Sequence, residues 1–506
     1  MTITINNNPN DPSGLYTIDS TTAISGKTVI GGTAKHKIVI ANNVQYTVTG
    51  DNGGDTINFS KNTTDNNLFG GTGDDTIKAG NGNNYIVGGG GNDTISAGNG
   101  SNTILVGSTT GTSPVSSTVS VGSGNNSISI SGNSSDIASI SLGKGSNWVS
   151  VSGGTANIKS FSNAKDALDV FSGATANVLA ITKAWTPDNQ TINDGTVYLT
   201  TKTVAINLSG AGGTSGWNVT ATGSTSLTGS SYNDTFLASG SKDVLTGGGG
   251  TDSFYITKGS STITDLSGND VLVASAKTKV SATVSANWTA GNTTTDDGAV
   301  TLNLNSGVSV DLSNAVVSKG LTIDGSNGSD NIIGSNGNDL IKAGIHDSLT
   351  GGAGSDTFSF AKGSTVKGVE KIFGGITDTT LNTVTDYSKG AVGTGDVLQY
   401  SSTLKIGGFD AANGVSIDSK TGVVSFTSNP TDLNTAVTEL ATAFNSHHQG
   451  NGTFAFFQLN GTGPEYLYIA SAKEASPSSH DNVIQLVGVT SISEISLHGS
   501  HLTIIS

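Results

Sequence analysis

Between Gly70 and Leu105 the chain divides without a gap into four nine-residue units: GGTGDDTIK, AGNGNNYIV, GGGGNDTIS and AGNGSNTIL. Gly holds the fourth place of each (Gly73, Gly82, Gly91, Gly100), Asp or Asn the sixth (Asp75, Asn84, Asp93, Asn102) and Ile the eighth (Ile77, Ile86, Ile95, Ile104). The glycines admit the positive φ that a tight turn needs and let neighbouring backbones approach closely. What remains of each unit predicts a strand of about three residues whose Ile points to one side, because side chains alternate along a strand. A unit this short cannot bury its Ile alone, so units must stack, and the Ile column becomes the core of a solenoid. Two units, with a strand on each side, would close one coil. A flexible Gly-rich linker would show no such phase for Ile or Asp.

The two-unit coil sorts the sixth positions by side. Asp75 and Asp93 fall together on one side, and Asn84 and Asn102 on the other. Stacked carboxylates repel unless a cation lies between them, whereas stacked amides hydrogen-bond one another. A cation is therefore expected on the Asp side and an amide ladder on the Asn side.

The repeat G-G-x-G-x-D-x-U-x resembles that of the repeat-in-toxin (RTX) family of secreted bacterial proteins. The resemblance implies a parallel β-roll that binds Ca2+ between its turns, with the sixth-position Asp residues as ligands. In the first array these are Asp75 and Asp93. A degenerate unit at Gly50–Asn58 has Asp55 and Ile57 in the sixth and eighth places, while the units at Val121–Ser129 and Leu142–Ser150 carry Asn and read as calcium-poor coils.

Two further arrays follow. The second, Gly229–Val273, places Asp234, Asp243, Asp252, Ser261 and Asp270 at sixth positions. Alternation groups Asp234, Asp252 and Asp270 on one side, and sets Asp243 opposite Ser261 as the poorer site. The third, Gly325–Ser359, offers Asp330, Asp339, Asp347 and Asp356, with Asp339 paired to Asp356 and Asp330 to Asp347. Both arrays belong to a longer duplication: WTPDNQTINDG at Trp185–Gly195 matches WTAGNTTTDDG at Trp288–Gly298. Single, spaced tryptophans of this kind are expected in a core or between modules.

Composition narrows the function. The chain has 506 residues, 71 of them Gly, with 34% hydrophobic residues and no Cys, which favours stacked modules over one large core. All 23 basic residues are Lys against 38 acidic ones, which argues against nucleic-acid binding. Glu is absent before Glu370, so acidity here is mostly Asp, the short carboxylate of turns and of hard-cation sites. MTITINNNPNDPSG has neither a basic segment nor an apolar run, so no Sec-type leader is expected, and no stretch reads as a membrane span. An extracellular chain without Cys would rely on metal instead of disulfides.

The texture changes near residue 380. Thr431–Ser446 reads as a helix with a stripe of Leu433, Val437, Leu440, Ala441 and Phe444, started by Asn429 and Pro430, and strands follow at FAFFQL, EYLYIA and DNVIQLVGV. This segment is similar to the carboxy-terminal domain of proteins exported by type I secretion, which implies an uncleaved export signal near the end. No His-Glu-x-x-His and no Gly-x-Ser-x-Gly occurs, so neither the zinc protease nor the lipase chemistry of such proteins is expected. His447, His448, His498 and His501 read as a solvated helix end and exposed strand positions.

The sequence thus predicts an all-β chain of parallel β-roll/β-solenoid arrays with strand-rich inserts and a small α+β carboxy-terminal domain. The expected segments are 1–49 (amino-terminal β), 50–165 (first array), 166–275 (insert and second array), 276–378 (duplicated insert and third array) and 379–506 (α+β domain with secretion signal). No catalytic residue is expected. The chain resembles bacterial surface-layer (S-layer) proteins of the RTX type, which implies a calcium-dependent structural protein outside the cell, at the bacterial surface. Its partners would be copies of itself, the type I secretion machinery and possible cell-surface polysaccharide, with no nucleic acid. The alternative is a calcium-dependent adhesin or biofilm-matrix binding protein. Deleting residues 481–506 is expected to trap the chain in the cytoplasm, and immunoblots of medium and cells check this.

Overall fold

The computed structural model describes the strand backbones Thr2–Thr4, Leu15–Ile18 and Lys27–Ile30. From 35 to 505 it describes every position except 36, 41–42, 51, 108–113, 162–164, 326–327, 345, 361–381, 388, 390–394, 402, 413, 463–464, 472–480 and 488. The chain forms two compact units, Met1–Asp252 and Ser253–Ser506.

In the first unit, from Thr2–Thr4 to Thr196–Thr201, successive strands alternate between two parallel sheets, and Ile206–Asn207, Ser226–Thr228 and Asp243–Thr246 open a third. One stacks Tyr46–Thr49, Asn67–Gly71, Tyr85–Gly89, Thr103–Val106, Ser127–Ile130, Trp148–Val151 and Ala167–Val170 in that order. The other stacks Thr56–Asn58, Thr76–Lys78, Thr94–Ala97, Ser116–Val121, Ile137–Ser141, Thr155–Lys159 and onward to Thr235–Ala238. Parallel neighbours need a long crossover. Here the strand in the opposite sheet is that crossover, so every coil serves as its neighbour's connection.

The eighth-position columns form the core as expected. Ile57, Ile77, Ile95, Val119, Ile140, Ile158 and Val178 are paired from coil to coil on one side, and Leu68, Ile86, Ile104, Ile128, Val149 and Leu168 on the other. All are buried. The register survives changes in coil length: sixth positions stack at a separation of 18 residues between Asp75 and Asp93 and of 24 between Asn102 and Asn126. Length is absorbed in the turns because a strand slip of one residue would turn the aliphatic column outward. The strand-rich stretches between arrays are further coils of the same ladders, as with Thr155–Lys159, Thr175–Ile181 and Thr196–Thr201. Glycine is needed where turns stack: a Cβ on Gly82 would strike the Thr64 carbonyl, and Gly91 sits at φ +100°.

On the Asn side the amide ladder is present and longer than four units. Nδ2 of Asn66, Asn84, Asn102 and Asn126 each donates to Oδ1 of the next Asn, at 3.3, 3.0, 2.9 and 2.9 Å, and Asn147 donates to Asp166 at 3.0 Å. The calcium-poor coils therefore extend this ladder through Asn126 and Asn147. Trp185 is buried against Phe161 and Trp217, and its Nε1 donates to the Asp166 carbonyl at 2.9 Å.

The second unit begins with the same geometry. Trp288 is buried and its Nε1 donates to the Asp270 carbonyl at 2.9 Å, the counterpart of the Trp185 bond, so the duplicated tryptophans are core residues. Parallel columns run Leu302, Ile323, Ile341, Phe358, Leu398 and Val310, Ile332, Leu349, Val384. The pairing then turns antiparallel, with Thr453–Phe457, Glu465–Ala470 and Asn482–Leu486 side by side. One helix, Leu433–Ser446, packs its predicted stripe against this sheet; Phe444 stacks on Tyr468 at 5.6 Å. Its start is corrected from Thr431: Asp432 is the N-cap, accepting the Thr435 N–H at 2.9 Å, and Asn429 makes a left-handed turn (φ 50°) ahead of it.

Asn102 accepts the Asn84 N–H and Nδ2 and donates to Asn126. Asn102→Ala strands those buried groups and should cost about 1–3 kcal/mol. Urea unfolding should show a lower midpoint while calcium titration stays unchanged.

Candidate metal centres

All ten predicted aspartates (Asp75, Asp93, Asp234, Asp243, Asp252, Asp270, Asp330, Asp339, Asp347 and Asp356) are buried, at most 2% exposed. Carboxylates this deep are held by hydrogen bonds or by a cation. The first partner is regular: Oδ1 accepts the backbone N–H one coil earlier. Asp55 donates to Asp75 at 2.6 Å, Asp75 to Asp93 at 3.1 Å, Asp234 to Asp252 at 2.8 Å, Asp330 to Asp347 at 2.9 Å and Asp339 to Asp356 at 2.8 Å. Alternate nonapeptides thus share a side, and the pairs Asp75–Asp93, Asp234–Asp252, Asp330–Asp347 and Asp339–Asp356 stack as the two-unit coil requires.

The second oxygen differs among sites. Oδ2 of Asp75, of Asp93 and of Asp356 is buried with no hydrogen-bond partner. Each sits over the first-position glycine of its own unit, where a Cβ on Gly70, Gly88 or Gly351 would run into it. Over Gly70 the Gly88 carbonyl oxygen, from the next coil, crowds the same space. In Asp234 and Asp339, by contrast, Oδ2 accepts the N–H of Ser230 or Ser335, 2.6 Å in both.

Burial raises the carboxyl pKa of Asp75, Asp93, Asp234, Asp243, Asp339, Asp347 and Asp356. It pushes Asp75, Asp93 and Asp356 up to about 7, with neighbouring aspartates adding to the rise. Asp234 and Asp347 reach about 6, where backbone N–H groups pull back against the same desolvation. These columns want positive charge or protons.

A hard cation fits what is present. Calcium takes carboxylate and carbonyl oxygens, and the open Oδ2 atoms of Asp75, Asp93 and Asp356 face a cradle that only glycine leaves clear. Among the described residues no three His, Cys, Asp or Glu side chains converge, so turn carbonyls would have to supply most of the ligands.

Two acidic residues escaped the sequence reading. Asp396 Oδ1 accepts the Asp356 N–H at 2.9 Å, and Asp386 accepts from Gly351 and Gly352 at 2.7 and 2.8 Å. GTGDVLQY around Asp396 keeps the Gly-x-Gly and the alternating strand of a repeat but lacks one residue before its Asp, which hid the unit. Elsewhere, Ser117 accepts the Asp93 N–H at 3.1 Å and so ends the first carboxylate run. His447 stacks on Phe409 at 4.1 Å, and His498 pairs with His501 beside an exposed hairpin turn.

A carboxyl whose pKa is raised on folding stabilises the folded chain below its unfolded value, near 3.9, and loses that contribution as pH climbs through about 7. The calcium-free roll should therefore be more resistant to urea at pH 5 than at pH 8. Circular dichroism in chelator at both values checks the sign, and millimolar calcium should abolish the loss.

Residues 62–107, 220–254, 228–263, 322–345 and 346–365 match the RTX calcium-binding nonapeptide repeat family. No curated protein matches the chain. The matched segments contain all ten of the predicted aspartates except Asp270, and each lies in stacked β coils. Repeat, register and fold agree: the chain carries RTX nonapeptide repeats folded as a parallel β-roll, and these repeats are calcium-binding motifs.

Proposed function

We propose that this is a secreted, non-enzymatic structural protein that folds when it meets calcium and then assembles with copies of itself at the bacterial surface as an S-layer-like lattice. The observation that carries the reading is the stack of buried aspartates within coils that make up most of the described chain. Neighbouring strands lie about 5 Å apart, so each ionised Asp pair would repel by roughly 3 kcal/mol at an effective dielectric near 20. Several such pairs rival the ~5–15 kcal/mol net stability of an ordinary domain. In calcium-poor cytoplasm the rolls stay loose and suit export through a type I channel. Outside, where extracellular modules bind calcium at roughly 0.1–1 mM, they close.

The ten sixth-position aspartates are the proposed calcium carboxylates. Surface polysaccharide and neighbouring copies are the proposed points of attachment; among the described residues no helix is long and apolar enough to cross a membrane. One observation favours the adhesin reading instead: Trp148 and Tyr198 are each 50% exposed on the strand faces, and exposed aromatic rings suit stacking on sugars.

Circular dichroism and light scattering in chelator, then in millimolar calcium with magnesium as control, test the mechanism. The β signal and the scattering should both appear with calcium alone, and a chain fully folded and assembled in chelator would sink it. Electron microscopy of the calcium form separates the readings: ordered sheets favour the lattice, dispersed particles that bind glycan the adhesin.

A further inference from the structure

We infer that in five nonapeptides the second residue decides whether the aspartate takes calcium: the Gly-Gly units of Asp75, Asp93 and Asp356 bind it, and the Ser units of Asp234 and Asp339 close without it. The inference rests on the calcium reading of the repeats and narrows it to particular coils.

The two kinds of unit differ in one turn. At Asp234 the Ser230 hydroxyl lies 3.0 Å from Oδ2 and 3.3 Å from Oδ1, and Ser230 N–H also reaches Oδ2 at 2.6 Å. At Asp339 the Ser335 hydroxyl lies 2.9 and 3.0 Å from the two oxygens, with its N–H at 2.6 Å. Each hydroxyl oxygen accepts an N–H two residues on, Tyr232 to Ser230 and Gly337 to Ser335, both at 3.1 Å. That bond orients the hydroxyl and leaves its one proton for the carboxylate. Oδ1 has its own donor as well, Trp217 N–H at 2.6 Å for Asp234 and Leu321 N–H at 2.7 Å for Asp339. Both oxygens are thus supplied with donors, and Ser230 and Ser335 are themselves buried.

The Gly-Gly units of Asp75, Asp93 and Asp356 have no such hydroxyl. Their second residues, Gly71, Gly89 and Gly352, sit at φ +127°, +104° and +94°, whereas neither Ser230 nor Ser335 has a positive φ. The turn that glycine permits sends no donor to its own carboxylate, and Oδ2 is left buried and unpartnered in all three. A buried acceptor of that kind costs more than one exposed to water, and a cation repairs it. Asp339 and Asp356 make the contrast within one stack, since Asp339 N–H donates to Asp356 Oδ1.

The test counts calcium bound to the purified full chain by equilibrium dialysis. Asp356→Asn should lose about one calcium relative to the parent, and Asp339→Asn should keep the parent's count. Equal losses overturn the inference and leave the calcium reading standing, whereas a parent chain that binds no calcium overturns the reading itself. Because an amide at 339 would face the Ser335 N–H and could unfold its coil, Ser335→Gly is the second arm. It removes the hydroxyl and frees the turn, so it should bind more calcium than the parent. An unchanged count there overturns the inference even if Asp339→Asn does not fold.

Discussion

The structure depends on a constraint set by the coil: its core is one side chain deep on each side, and no coil can bury that side chain without a neighbour. Ile77, Ile95 and Val119 are buried by each other and by the column opposite. Hydrophobic contact is therefore always shared between coils, and the stack gains or loses stability coil by coil. Since apolar contact per coil is small, the polar groups in the turns carry unusual weight. A parallel ladder satisfies the strand backbones but leaves the turn N–H groups to side chains, and the sixth-position residue is the one that serves them.

Asn and Asp serve those N–H groups differently. An amide has donors as well as an acceptor, so Asn66, Asn84, Asn102, Asn126 and Asn147 pass hydrogen bonds along the stack and end on Asp166 without any added ion. An ionised carboxylate only accepts. It takes the N–H of the earlier coil on Oδ1 and then needs a donor, a proton or a cation for Oδ2. The first unit thus has a self-sufficient side and a dependent side, built on the same backbone. This division links folding to the ion content of the surroundings.

The carboxylate columns also reach beyond the perfect repeats. Asp396 receives the Asp356 N–H across 40 residues, and the aliphatic column continues from Phe358 to Leu398. After this coil the pairing changes to antiparallel and a helix covers the sheet, so the last strands of the roll are not left as open edges.

Much of this architecture was legible in the residues themselves. A period of nine with fixed Gly, Asp and Ile phases allows one periodic solution, and the alternation that separates Asp75 and Asp93 from Asn84 and Asn102 follows from it by counting. The helix stripe and the burial of Trp185 and Trp288 are equally local signals. Other features were decided only by the fold. The strand-rich stretches became coils of the same ladders because parallel register tolerates turns of unequal length, and Asp396 joined a column despite its shortened unit. Whether a carboxylate is satisfied was also a tertiary matter. Gly71 and Ser230 hold the same place in their units, but one takes positive φ and offers no donor while the other turns both N–H and hydroxyl onto its aspartate. Composition records the difference as Gly against Ser; only the folded turn converts it into a carboxylate whose Oδ2 lacks a partner or one with three donors over its two oxygens.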